Sequence, residues 1–502
     1  MGRSFQVVIL GGGTAAGYAA LEFVKNDYNH GDLCIISEES VAPYERPALS
    51  KGFLLPEGAA RLPSFHTCVG TGNERQLTKW YKDHGIELIL DTRVVAADVK
   101  GHTLRTSSQE TIAFRTLIIA TGARVLRLEE FGITGSVAPN ICYLRSVQDA
   151  NKLVEAMAAC KSIGGSAVVI GGGYIGMECA AALIGNRIPV TMVFPESHIS
   201  EYFTVPQLSV KLDWGSVARL FTPEIAAFYE QYYEKRGVTF KKGTVMSGFE
   251  RNDQGKVEAV VLKDGSRLPA DLVVVGVGIR PNVSLFEGQL TLEKGGIKVN
   301  GKMQTSNSSV YAVGDVVSFP LRMYGEMRKL EHVDHARKSA AHAVQAILCP
   351  EKIEDYNYMP YFYSRVFTLS WQFFGDNVGS CIHYGVQSSG KFGAYWINKG
   401  KLVGAFLEGG SKDEYAALAR VARDRPEVPD VNLLEDQGLG FAMAHTMEPD
   451  SASSSFKGSI QAGNMLLEKP AMIVFQAATG IAVAAAIAGF VYWYGSRRRR
   501  LL

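Results

Sequence analysis

The chain has 502 residues, 47% of them hydrophobic and 20% charged, and a formal net charge of +2. That length is too great for one ordinary core and calls for two or three globular domains, and the near-neutral balance gives no ground for a nucleic-acid partner. The seven cysteines are dispersed, with no C-x-x-C pair and no zinc-like spacing, which suggests reduced thiols, a cytosol-like compartment and no metal. Cys68, in the Gly/Thr-rich FHTCVGTG, reads as an ordinary small apolar residue.

The chain enters a strand at once, with no signal-peptide core, and Gln6 stands where a myristoylation site needs Ser or Thr. FQVVIL is a continuous apolar run, as expected of a central parallel strand. Gly11-x-Gly13-x-x-Ala16 follows and opens a small-residue helix. Such glycines let the backbone turn tightly, and a pyrophosphate can then approach the free N–H groups of the helix start. A second strand, LCIIS, ends in Glu38-Glu39, where one carboxylate is placed to accept ribose hydroxyls. TLIIATGA (116–123) reads as a strand entering a tight turn. TSNSSVYAVGDVV (305–317) reads as a strand closing on Gly314-Asp315. Together these pieces point to FAD at the first glycine cluster.

The device recurs in SAVVIGGGYIGMECAAAL, with Gly171, Gly173 and Gly176. The next strand, PVTMVFPE, ends in Glu196, about 20 residues on, where an acidic residue accepts both ribose hydroxyls and repels a 2′-phosphate. This copy is therefore expected to take NADH rather than NADPH. The segment Arg328–Val344 reads as one amphipathic helix. Its histidines, His332, His335 and His342, are spaced so that they cannot all reach one metal. Arg337, four residues after Val333, shares a helix face with it and is expected to point into the same cavity.

The arrangement resembles the two-dinucleotide-binding flavoproteins of the glutathione-reductase fold. The motifs YERPALSK, VVIGGGYIGME, RLFTP and YFYSR, taken together, resemble the monodehydroascorbate reductases from Phe5 to about Leu439. No C-x4-C follows the first helix, so no redox dithiol relays electrons as in disulphide reductases. The fold implied is α/β: two Rossmann-like dinucleotide-binding domains, a discontinuous FAD domain (1–145 and 284–345) and an NAD domain (146–283), then an α+β interface domain (346–440). Within that last domain KFGAYWINKGKLVGAFLEGG reads as a hairpin. The resemblance assigns Gly11, Gly12, Gly13, Thr14, Ala15, Ala16, Glu39, Arg46, Lys51, Val94, Arg145, Asp315, Val333 and Tyr363 to FAD. To NADH it assigns Gly172, Gly173, Tyr174, Ile175, Gly176, Met177, Glu178, Glu196, Arg219, Gly278, Glu331 and His332. Lys51 and Glu178 are expected to pair beside the flavin. Arg337 and Arg365 would bind a small anionic substrate, with Tyr363 at the flavin side. The implied reaction is NADH-dependent reduction of the monodehydroascorbate radical to ascorbate. The alternatives are a ferredoxin- or rubredoxin-type reductase, and an apoptosis-inducing-factor-like flavoprotein.

Two features depart from a plain reductase. Residues 199–217 read as an insertion ahead of Arg219, with no clean periodicity. At the C-terminal end, a tether (441–470) leads to an uncharged segment (471–494), long enough to cross a hydrocarbon core of about 30 Å. The segment ends in Tyr492-Trp493-Tyr494 and a basic tail (495–502) follows, as at a membrane boundary. A tail-anchored protein of the peroxisomal membrane is expected, with the endoplasmic reticulum as second choice.

Overall fold

Strand Arg3–Leu10 lies at the centre of the first sheet, because its apolar run has to be covered on both faces: Val8 and Ile9 have no exposed surface. Burial of each such side chain contributes about 1.5–3 kcal/mol. A computed structural model describes residues 2–56, 75–198 and 220–445. In it this strand pairs in parallel with Leu33–Ile36 on one side and Thr111–Ile119 on the other. Val310–Ala312 returns from far along the chain to extend the parallel part, next to Thr111–Ile119. Helices Thr14–Lys25 and Val333–Leu348 pack together over this sheet.

The second sheet is wholly parallel, in the spatial order Val238–Lys242, Val190–Phe194, Ala167–Ile170, Leu272–Val275 and Ile141–Tyr143. Strand Ile141–Tyr143 belongs to it, so the crossover from the first sheet falls ahead of the expected boundary at 145. The two crossing segments pair with each other, Ala123–Val125 against Ile279–Pro281, antiparallel. The third sheet is antiparallel and five-stranded. It contains the expected hairpin, Lys391–Asn398 and Lys401–Glu408, joined through Lys399 and Gly400, both at positive φ as a two-residue turn of this twist requires. Helix Lys412–Asp424 covers this sheet and starts with a capping box between Ser411 and Glu414.

Two expectations need correction. The helix expected from Arg328 begins at Val333, and Glu326–Arg328 is instead a strand paired with Val317–Leu321. Residues 441–444, expected as tether, belong to the helix Leu439–Ala444, which buries Ala442. The tether from residue 446, the 471–494 segment, the basic tail, the 199–217 insertion, Arg219 and Cys68 lie outside the described residues. Among the described residues no helix is long and apolar enough to cross a membrane.

Candidate active site

The first glycine turn works because its strand and the neighbouring one end close together. Gly11 has φ +126°, and a Cβ there would collide with the Ala120 carbonyl oxygen. Gly13 caps helix Thr14–Lys25, whose first-turn N–H groups therefore face outward. Beyond the turn is a cavity of about 780 Å³. Gly11, Gly12, Gly13, Thr14 and Ala15 line it, together with Glu39, Arg46 and Val94. Arg145, Asp315, Glu331 and Val333 continue the wall. Ala16 does not line it, and is buried in the helix behind the turn.

Charges along this wall are tied to one another. Glu39 accepts from Tyr44 Oη at 2.6 Å and from Arg46 Nη2 at 2.6 Å, while Arg46 Nη1 donates to the Arg145 carbonyl at 2.7 Å. Arg145 Nη2 donates to Asp315 at 3.0 Å, and its Nε is buried with no partner among the described residues. Val333 is the first residue of its helix, so its N–H is also free to meet a ligand. Burial raises the Glu331 pKa, which Lys329 at 2.8 Å works to lower. A long cleft with a glycine-built phosphate end, an orphaned guanidinium N–H and a helix start at the far end fits FAD.

The second glycine turn repeats the construction with different neighbours. Gly171 has φ +112° and sits against the Gly276 carbonyl oxygen, as Gly11 sits against Ala120. Gly172 lies beside the Phe194 ring, Gly173 faces open space and Gly176 packs on Gly171. Ile175 is exposed. The Tyr174 hydroxyl is buried without a partner, its ring 5.5 Å from Trp371. Met177 is buried and its carbonyl accepts from Tyr233. Glu196 follows the strand end, its carbonyl accepting from Gly243 N at 3.1 Å. Gly278 lies at the crossover, where its carbonyl takes the Leu126 N–H. The open face at Gly173 and the orphaned Tyr174 hydroxyl fit a pyridine nucleotide.

Glu178, buried in the helix after this turn, joins three parts of the chain. It accepts from Ser50 Oγ, from Lys51 Nζ at 2.9 Å and from Ser364 Oγ at 2.6 Å. Ser364 lies on strand Tyr361–Val366, whose alternation puts Tyr363 and Arg365 on the other face. The Tyr363 ring centroid is 6.0 Å from Lys51 Nζ and 5.7 Å from the His332 ring, edge to face. Burial pushes His332 down to about 3, so it is neutral at physiological pH. Arg365 is exposed.

Arg337 does not line the large cavity. Its Nε donates to Glu45 Oε1 at 2.7 Å, and its Nη2 meets the same oxygen. Glu45, Ser50 and Ser364 hold the residues singled out by sequence but were not themselves singled out. Glu45 and Ser50 lie inside YERPALSK, and Ser364 inside YFYSR, so adjacency to named residues was the available signal. The three histidines of the helix region are apart: His335 stacks on Phe319, and His342 Nε2 lies 2.9 Å from the Gly301 carbonyl.

Fold and site define a pyridine nucleotide-dependent flavoprotein oxidoreductase. The pyridine nucleotide-disulphide oxidoreductase family matches residues 5–340, and the monodehydroascorbate reductase 3-like C-terminal domain matches residues 359–442. Monodehydroascorbate reductase 4, peroxisomal, of Arabidopsis thaliana is 58% identical, covering 100% of both chains. Monodehydroascorbate reductase 2, peroxisomal, of Oryza sativa is 59% identical with the same coverage. The pea monodehydroascorbate reductase is 53% identical over 88% of this chain and 99% of its own. Among solved structures, a ferredoxin reductase from Rhodopseudomonas palustris superposes with TM-score 0.74 at 26% identity, covering 88% of this chain and 100% of that one. The chain belongs to the monodehydroascorbate reductase family.

Proposed function

We propose that this protein uses NADH to reduce the monodehydroascorbate radical to ascorbate. The observation that carries the reading is the meeting of Tyr363, Lys51–Glu178 and His332 beside the cavity end where the Val333 helix starts, in a chain of this family. The cavity would hold FAD, whose chemistry would let a two-electron donor serve a one-electron acceptor. Around it the protein positions and excludes water. Gly11–Ala15 and Arg145 hold the phosphates, Asp315 the ribityl chain, and the Val333 N–H the ring edge. Lys51, fixed by Glu178, supplies a positive charge. Gly172–Gly176 seat the donor, with Glu331 and His332 at its nicotinamide. Arg337 and Arg365 orient the anionic acceptor next to Tyr363. The same reading divides the chain into an FAD domain, an NAD domain beginning with strand Ile141–Tyr143, and an interface domain.

Glu196 sets the donor. Glu196→Arg is expected to move the kcat/KM preference from NADH toward NADPH, and an unchanged ratio would remove Glu196 from that role. The acceptor is tested by assaying purified enzyme with the ascorbate radical and with ferredoxin. Higher kcat/KM for the radical supports the reading. Preference for ferredoxin favours the second reading, which the likeness to putidaredoxin reductase in its complex with putidaredoxin (TM-score 0.74, 27% identity) keeps in view.

We place the protein at the peroxisomal membrane, held by residues 471–494. The relatives that match the chain along its whole length and carry "peroxisomal" in their names support the organelle, and the uncharged segment ahead of the arginines supports the anchor. A fluorescent reporter fused to residues 441–502 should sediment with peroxisomal membranes and resist carbonate extraction. A soluble reporter would contradict the anchor.

A further inference from the structure

Arg337, read above as an acceptor contact, is already matched by a carboxylate. Glu45 Oε1 accepts from Arg337 Nε at 2.7 Å, meets Nη2, and accepts from Tyr18 Oη at 3.0 Å. The guanidinium carbon lies 5.3 Å from the Tyr18 ring centroid. Both charged side chains are largely covered, 15% exposed for Glu45 and 16% for Arg337, so their fields are weakly screened. Glu45 stands between two anchored neighbours. Its neighbour Tyr44 is held through Oη by Glu39 and by the Val147 N–H at 3.0 Å, and Arg46 is held by Glu39 and the Arg145 carbonyl. Of the guanidinium, the Nε and Nη2 edge is occupied, and among the described residues Nη1 has no hydrogen-bond partner. Lys51, also beside Tyr363, is matched in the same way by Glu178, while Arg365 on the same strand face is exposed.

A bare guanidinium attracts a dianion about twice as strongly as a monoanion, since Coulomb energy scales with ligand charge. Inorganic phosphate and sulphate would then compete with any singly charged substrate. A fixed carboxylate on the same guanidinium cancels much of that attraction, and its repulsion also doubles for a dianion. We propose that Glu45 is a specificity-determining residue, which offsets the charge of Arg337 so that the acceptor site takes singly charged, oxygen-rich anions and turns away dianions. The ascorbate radical and ascorbate each carry one negative charge at neutral pH, so both pass this filter. The inference rests on the reading of Arg337 as a substrate contact.

The test uses FAD-loaded enzyme and sulphate as the dianionic probe, with ascorbate as the monoanion. Binding is followed by the perturbation of flavin absorbance and by the anion-dependent rise in thermal midpoint, so that it does not depend on turnover. In Glu45→Gln, sulphate affinity should rise by about tenfold or more while ascorbate affinity rises by less than about threefold. Glu45→Asp, which keeps the charge, should retain the selectivity of the original protein. Sulphate affinity unchanged in Glu45→Gln, or both anions gaining by one factor, would overturn the proposal. Arg337→Ala separates it from the underlying reading. A raised KM for the radical in Arg337→Ala, together with unchanged sulphate selectivity in Glu45→Gln, leaves Arg337 a substrate contact and removes Glu45. An unchanged KM for the radical in Arg337→Ala removes both.

Discussion

His335 is sealed between aromatic rings, stacked on Phe319 at 4.5 Å with Nδ1 3.3 Å from Tyr356 Oη and Nε2 buried without a partner. Burial pushes its pKa down to about 4, against about 6.5 in an unfolded chain. Between those values the unfolded chain binds a proton that the folded one refuses. The stability this group contributes is therefore complete above about pH 6.5 and is lost as pH falls toward 4, at up to about 1.4 kcal/mol per pH unit. His335→Phe should flatten that part of the urea-midpoint profile, and an unchanged slope would contradict the assignment. Lys51 and Glu178 are the other pair whose chemistry is decided locally. Glu178→Ala leaves Lys51 unpaired in a mostly covered site and should cost about 3–5 kcal/mol. Lys51→Met should slow hydride transfer from NADH roughly ten- to a hundredfold in stopped flow; a normal rate would show that the cation does not act on the flavin. At this scale the sequence was readable where glycine spacing dictates a tight backbone turn, as at Gly11 and Gly171, and the Lys51–Glu178 pair was expected beside the family resemblance. It was silent on Glu45 with Arg337, because a partner 292 positions away is set by how a loop lies against a helix.

The two glycine turns share one backbone solution, a positive-φ glycine at a strand end pressed on the carbonyl of the neighbouring strand's continuation. The tasks proposed for them differ, and one substitution at each separates them. Gly11→Ala adds strain of about 1–3 kcal/mol plus a clash and should yield protein lacking flavin absorbance. Gly171→Ala should keep its flavin and raise the KM for NADH. Equal loss of flavin in both would contradict the division of labour. Strands and turns at these points were legible because apolar runs, glycines and spacing agree. The start of the helix at Val333 was not legible from periodicity. Leu330 and Val333 fit a helical stripe, yet Glu326–Arg328 finds a ladder partner in Val317–Leu321, and that pairing ends before His332 caps the helix. The strand Ile141–Tyr143 escaped for a similar reason: three residues carry no pattern, and only pairing with Leu272–Val275 assigns them.

Across the described molecule, the parts meet through shared interior rather than through surface contact. Tyr44, Leu49 and Phe53 from the segment after the second strand pack in one core with Met177 and Tyr229 from later helices and Trp371 and Phe406 from the third sheet. Glu178 ties the same three regions by hydrogen bonds. Such an arrangement suits a reaction in which donor, flavin and acceptor must be held in fixed relation, the donor and acceptor on opposite schedules. The sequence did not show that Ser364 would turn toward Glu178 while Tyr363 turned toward Lys51, since either face of an edge strand could have met the helix. The central claim is that electrons enter in a pair from NADH and leave singly to the ascorbate radical. It is tested most directly by reducing the FAD-loaded enzyme anaerobically with one equivalent of NADH and then titrating with radical generated from ascorbate. The account predicts that full reoxidation consumes two radicals per NADH. Reoxidation by one radical, or none until a ferredoxin-type protein is added, would contradict it.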